Sequence, residues 1–334
     1  MTDNYRIIIA RTDRIGDVVL STALPREIKK NQPDAYVAML VREYTKDIYV
    51  NNPYVDEIII FKDTTPFLKN VVELRKRKFT HAITLLPDKR ISRLFFFTGI
   101  KTRIVSGFKP YQALTNAKSV FRRRYKPLKS EAEYCLDALR KIGFTVESNI
   151  SEIYLTDEEK KVRDEFRKKY SAGDKKLIGV HTSSGNSAPN LKPADYRELI
   201  LSLVKDETKQ VLVTDNIPPK EIAGIEGVVY PNMDKTLRES IVNFSALDVL
   251  VSASTGPMHL AGALKVDTLS LFCPMTACSP ILWGPLGNKV RFMIPEKEYC
   301  VSKCPKDPKK CNFAGEGGID AERVEKELNE FIGG

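Results

Sequence analysis

The stretch that most constrains this chain is Val249-Leu250-Val251-Ser252-Ala253-Ser254-Thr255-Gly256-Pro257-Met258-His259-Leu260-Ala261-Gly262-Ala263-Leu264. Its opening apolar run fits a strand covered on both faces, which points to a parallel sheet with helices on each side. Gly256 permits backbone conformations closed to other residues. Pro257 suits a first helical position, where its missing N–H costs nothing. Leu260, Ala263 and Leu264 then recur at helical spacing. The stretch therefore presents a helix N-terminus at the carboxyl end of a buried strand, with Ser254, Thr255 and His259 around it. Free N–H groups, a favourable dipole and short hydroxyls make an anion site there. Simple capping of the helix by Ser254 and Thr255 is the alternative.

A second stretch near the start repeats the pattern: Ile7-Ile8-Ile9-Ala10-Arg11-Thr12-Asp13-Arg14-Ile15-Gly16-Asp17-Val18-Val19-Leu20. Between and after the two, strand and helix patterns alternate. Strands are predicted over 6–10, 36–41, 57–61, 81–86 and, weakly, 103–106, and helices over 17–30, 66–78 and 130–142, with Pro25 kinking or shortening the first. A polar, extended segment and a charged helix occupy 149–175. The alternation then restarts, with strands over 177–181, 210–214, 228–230, 249–251 and 268–272 and helices over 194–204, 236–244, 256–264 and 320–332. Two successive doubly wound α/β domains follow from this order, in keeping with 334 residues. Their strand carboxyl ends are where ligands bind. No G-x-G-x-x-G follows any strand, which disfavours a dehydrogenase.

The two stretches, in this order and at this separation, resemble the lipopolysaccharide heptosyltransferases of glycosyltransferase family 9 (ADP-heptose:LPS heptosyltransferases). In that family an early strand ends in a basic-x-x-x-(I/M)-G-D turn and a late one in D-(S/T)-G-x-x-H. The resemblance runs from about residue 6 to residue 330. It implies a GT-B architecture, two Rossmann-like domains facing a central cleft. Residues 1–150 would bind the acceptor, 151–175 would form a linker region, and 176–334 would bind the nucleotide-sugar. The implied activity is an inverting, metal-independent transfer of heptose, or a related sugar, from ADP-heptose to a lipopolysaccharide or lipooligosaccharide core in bacterial cell-envelope synthesis. No cofactor beyond the nucleotide-sugar donor is required.

Such a transfer needs a base for the acceptor hydroxyl and stabilisation of the departing diphosphate. Asp17, at the turn after Gly16, is the carboxylate placed for the first task; it could equally serve as a helix N-cap. The resemblance implies that it is the base. Asp13 is a second carboxylate whose like charge acts on it. For the leaving group, His181-Thr182-Ser183-Ser184-Gly185 is another strand end rich in hydroxyls, and Lys192 supplies a cation. The resemblance carries diphosphate contacts onto Thr182, Ser183, Ser184, Lys192, Ser254, Thr255, Gly256 and His259, and a ribose contact onto Glu221. Ser254 replaces the family's aspartate, so a relative using a different sugar nucleotide is an open alternative. A non-catalytic glycan- or nucleotide-binding module on the same fold is another.

Composition narrows the partners. The formal net charge is +10, which suits an anionic partner. Residues 108–129 concentrate it: Lys109, Lys118, Arg122, Arg123, Arg124, Lys126 and Lys129 alternate with Phe108, Tyr111, Phe121 and Tyr125. This tract reads either as a solvated loop or as a surface for an anionic lipid-linked glycan. Arg122, Arg123 and Arg124, with Arg14 and Gly16, are the acceptor-binding candidates. No nucleic-acid motif accompanies the charge, so no nucleic-acid partner is expected. The opening residues lack a signal-peptide pattern, and no apolar run reaches the length of a membrane span. A cytoplasmic protein is expected, with peripheral association at the inner face of the inner membrane. Of the six cysteines, Cys135 falls on an apolar helix face. Cys300, Cys304 and Cys311 form C-x3-C-x6-C, which lacks a fourth ligand at usual zinc spacing, so no metal is expected and free thiols or a disulfide stand beside a metal knuckle.

Overall fold

The computed structural model of the protein describes residues 5–122 and 129–333. The chain divides into two compact units, one running to Tyr154 and the other from Leu155 onward.

The first unit is built on a six-stranded parallel sheet: β1 (Arg6–Ala10), β2 (Tyr36–Val41), β3 (Glu57–Ile60), β4 (His81–Thr84), β5 (Thr102–Ser106) and β6 (Lys118–Val120). The strand order is β3-β2-β1-β4-β5-β6. That is the doubly wound dinucleotide-fold order, in which the direction of winding reverses between β1 and β4. Ile7, Ile8 and Ile9 are fully buried, which explains why β1 reads as an unbroken apolar run rather than an alternating one. Ile8 and Ala10 join one core with Leu40, Phe79 and Leu94. Each such aliphatic side chain contributes roughly 1.5–3 kcal/mol by leaving water.

The helix expected over 17–30 is two helices, Ile15–Val19 and Ala23–Asn31. The hydroxyls of Ser21 and Thr22 donate back to the carbonyls of Val18 and Val19, at 2.7 and 2.8 Å. They compete with the helical ladder and break it. Pro25 then lies in the first turn of the second helix, where no intrahelical N–H is needed, so it produces no kink. Several elements escape the sequence patterns. Lys89–Phe97 is a helix capped by Asp88, whose carboxylate accepts from the Ile91 N–H at 2.8 Å. The tract 108–129, expected as a loop or binding surface, carries a helix at Pro110–Leu114 and the edge strand β6 beside β5.

The second unit holds a five-stranded parallel sheet: β7 (Lys176–His181), β8 (Lys209–Val213), β9 (Val249–Ala253), β10 (Asp267–Leu271) and β11 (Val290–Met293). Its order is β11-β10-β9-β7-β8. Numbered within the unit this is 2-1-3-4-5 read from the other edge, with the reversal between β7 and β9. Val180, Val251 and Leu269 pack with Leu199 of the helix Pro193–Val204 and Leu328 of the helix Ala321–Gly333. The strand expected over 228–230 shrinks to a single bridge between Leu212 and Val229, because Pro231 cannot donate to extend it. Among the described residues no helix is long and apolar enough to cross a membrane.

Candidate active site

In the first unit β1 ends at the reversal point and runs through Arg11 into the helix Ile15–Val19. A guanidinium at the end of an apolar strand must find carboxylates or remain costly. Arg11 is 1% exposed and finds three. Its Nη2 donates to Asp17 Oδ1 at 2.7 Å and to Glu131 Oε1 at 3.2 Å. Its Nε lies 2.8 Å from Asp13 Oδ1 as an ion pair without hydrogen-bond alignment. Its Nη1 donates to Cys135 Sγ at 3.5 Å. Glu131 also receives Arg122 on Oε2. Two cations thus face three carboxylates.

Asp17 is the carboxylate of the cluster closest to water, 20% exposed against 1% for Glu131. Arg11 fixes its Oδ1, while Oδ2 takes no hydrogen bond among the described residues. The N-cap of its helix is Arg14, exposed and without a side-chain cap, so Asp17 is not the N-cap but the third helical residue. There its charge meets the positive end of the helix. Gly16, before it, is buried. Burial pushes the Asp13 carboxyl up to about 6, against the opposing pull of Arg11 and with a further push from Asp17. Burial also raises Glu131, opposed by Arg11 and Arg122. It drives the Cys135 thiol upward, so that sulfur stays protonated and packs in the core. The arrangement holds the Asp17 carboxylate through one oxygen and leaves the other open. That is the geometry of a general base.

In the second unit the reversal point lies between β7 and β9, whose register sets His181 beside Ser252. The turns after these strands, His181–Gly185 and Ser254–His259, are therefore neighbours, and the sequence had placed both at strand carboxyl ends. Gly185, at φ +51°, occupies the left-handed region at the tip of the first turn. The Thr182 amide and hydroxyl donate to Asp215 Oδ2 at 2.8 and 3.0 Å, and the Ser183 amide donates to Oδ1 at 2.9 Å. A buried carboxylate from the end of β8 thus organises this turn. The Ser183 hydroxyl stays exposed, 3.3 Å from His181 Nε2, and Ser184 is half-buried. Burial lowers the pKa of His181 despite Asp215, so the ring is neutral near pH 7.

The helix Gly256–Ala263 has Thr255 as N-cap, Gly256 first and Pro257 second, one position later than expected for the proline. Gly256 does not need a positive φ. The Thr255 hydroxyl turns back to the Ala253 carbonyl at 3.3 Å, and among the described residues no side chain caps the helix. Simple capping by Ser254 or Thr255 is thereby set aside, and the helix start keeps its affinity for an external anion. His259 is buried in the first turn, and Ser254 is half-buried. Lys192 is exposed at the N-cap of Pro193–Val204. Asn190, two residues earlier, donates to the Thr182 carbonyl at 2.8 Å and ties this segment to the turn. Glu221 is exposed beyond β8, and among the described residues no hydrogen bond links it to either turn.

Of the remaining expected residues, Arg122 is bound to Glu131, while Arg123 and Arg124 lie outside the described residues. Cys300, Cys304 and Cys311 are free thiols, not a disulfide, and among the described residues no group of three histidine, cysteine or acidic side chains is placed to hold a metal ion. Sequence reading missed Arg11, Glu131 and Asp215 as site residues. A charged residue within or at the end of a buried strand was the available signal for Arg11.

Comparison with known proteins bears on these two sites. The model of "Glycosyltransferase family 9 (heptosyltransferase)" matches residues 68–311. A Haemophilus influenzae protein provisionally named a glycosyltransferase is 28% identical over 302 residues, 85% of this chain and 86% of its own. Among solved structures, a family 9 glycosyl transferase from Veillonella parvula superimposes with a TM-score of 0.81 at 18% identity, covering 99% of this chain and 98% of that one. ADP-heptose LPS heptosyltransferase II of E. coli gives 0.74 at 18% identity over 98% of each chain. An E. coli heptosyltransferase solved with ADP gives 0.68 at 16% identity, over 98% of this chain and 99% of that one.

Proposed function

The chain belongs to glycosyltransferase family 9, and from that premise we propose that it is an inverting, metal-independent heptosyltransferase. Its donor is ADP-heptose and its acceptor an anionic, lipid-linked glycan of the lipopolysaccharide or lipooligosaccharide core. The observation that carries the reading is Asp17: a carboxylate at the winding reversal of the first unit, fixed by a buried guanidinium through one oxygen and open at the other.

In this reading Asp17 takes the proton from the acceptor hydroxyl as that oxygen attacks the anomeric carbon of the donor sugar. The bond from that carbon to the diphosphate breaks, the configuration inverts, and the nucleoside diphosphate leaves. Arg11 keeps Asp17 aimed, and Asp13 and Glu131 hold Arg11 in place. In the second unit the uncapped start of Gly256–Ala263, the Ser183 and Ser254 hydroxyls and Lys192 stabilise the charge that develops on the diphosphate. Protein groups take the part that a divalent ion plays elsewhere. Glu221 contacts the ribose. The first unit binds the acceptor and the second the donor.

The test is thermal denaturation with ADP, GDP, UDP, CMP and NAD, each with and without EDTA. A ligand that binds only the folded protein raises Tm by mass action. The expected result is a rise with ADP that EDTA does not change. A rise confined to UDP or GDP would overturn the donor, as Ser254 in place of the family's acidic residue makes a pointed question. A rise abolished by EDTA would overturn metal independence.

A further inference from the structure

One pocket of the first unit belongs to neither site. It has a volume of about 530 Å³ and is lined by Phe67, Lys89, Arg90, Arg93 and Phe97. Phe67 and Phe97 meet edge to face, their ring centroids 5.8 Å apart, and form its apolar wall. Phe97 is 51% exposed, and Phe96 and Leu68 extend the apolar surface outward. Arg90 is neutralised by Asp63, at 3.0 Å. Lys89 and Arg93 are exposed, and among the described residues neither side chain has an ion pair or hydrogen bond.

The placement of these two cations is unfavourable by itself. Lys89 is the first residue of the helix Lys89–Phe97, at the positive end of its dipole. Arg93 stands one turn further, where two like charges repel. An external anion would relieve both. The wall behind them is the pair of phenyl rings of Phe67 and Phe97, apolar surface that suits hydrocarbon as the rest of the ligand. We propose that this pocket docks the protein on a bilayer by binding anionic phospholipid. The headgroup phosphate would sit between Lys89 and Arg93, and the upper acyl chain against Phe67 and Phe97. Lys89 and Arg90 stand at the same end of the sheet as Asp17, though on its other face: Asp63 pairs with both Arg90 and Arg42, and Arg42 Nε donates to the Thr12 carbonyl at 3.4 Å. A bilayer held there would present lipid-linked molecules to that end. The proposal rests on the pocket alone and does not depend on the transferase reading.

The test is co-sedimentation with phosphatidylcholine vesicles, alone and with roughly one-third phosphatidylglycerol, across a salt series. Binding to the anionic vesicles only is expected. Lys89→Gln with Arg93→Gln should weaken it about tenfold or more, since each cation near an anionic surface adds several-fold to affinity. Phe97→Ser should weaken it without changing its salt dependence. These positions are exposed, and an unchanged melting temperature and ADP-induced shift would confirm that the fold and the donor site are intact. Equal binding to neutral and anionic vesicles, or wild-type binding by the Lys89→Gln/Arg93→Gln protein, would overturn the proposal. So would full competition by millimolar inorganic phosphate, which would mark a simple anion site.

Discussion

A single buried guanidinium fixes the chemistry around Asp17, and its partners have their own signature in pH. Asp13 is held at about 6, mainly by burial, above the ordinary aspartate value of about 4. The folded state therefore binds a proton that the unfolded state releases. Stability from this group is complete below about pH 4 and is lost as pH rises through about 6. Asp13→Asn mimics the protonated carboxyl at every pH. In urea denaturation the variant should match wild type near pH 4 and exceed it near pH 7.5 by about 1–3 kcal/mol. Equal stability at both pH values would remove the burial argument for Asp13. Asp17 itself was legible in the sequence because Gly16-Asp17 follows an apolar strand. Arg11 was passed over as a candidate: its role needs Glu131, which lies on a helix more than a hundred residues away and reaches it only through the fold. Asp215 was hidden for the same reason, since its partners Thr182 and Ser183 lie on the neighbouring strand's turn.

At the scale of elements, the strands were readable where an apolar run marks them, including the edge strands β3 and β8, and were missed at the other two edges, β6 and β11. β1, β2 and β9 are apolar runs with a turn behind them. β6 is a three-residue edge strand containing Lys118 and Ser119, and no periodicity marks it. The helix Lys89–Phe97 was missed because its aromatic run favours strand by propensity, while Asp88 supplies the cap that decides otherwise. The helix Gly256–Ala263 was visible, but the reason for its glycine at 262 was not. A Cβ added there would stand 2.8 Å from the Pro285 Cβ and 3.2 Å from Asn288 Oδ1. A proline ring cannot swing aside. Gly262→Ala should therefore destabilise the protein by about 1–3 kcal/mol, as overpacking does. It should also weaken ADP binding by displacing the helix start. A variant as stable as wild type would show that this contact is loose.

Over the whole molecule, the duplicated strand–turn–helix pattern was enough to expect two doubly wound units, and the two strand orders explain why the marked residues fall where they do. Both winding reversals, β1/β4 and β7/β9, carry the turns that the sequence singled out. The sequence could not supply the orders themselves, because they depend on which strands pair across long connections. If the second unit alone holds the donor, ADP should slow amide hydrogen exchange in 181–192 and 254–263 and leave 6–20 unchanged. Protection of 6–20 instead would reverse the assignment of the units. The central claim is that Asp17 is the base of the transfer, and the most direct measurement is the rate of heptose transfer by Asp17→Asn beside its ADP-induced shift in Tm. The account predicts a fall in kcat of about a thousandfold, within the range for loss of a general base, with the ADP shift unchanged. A rate within about threefold of wild type, far inside that range, would contradict it.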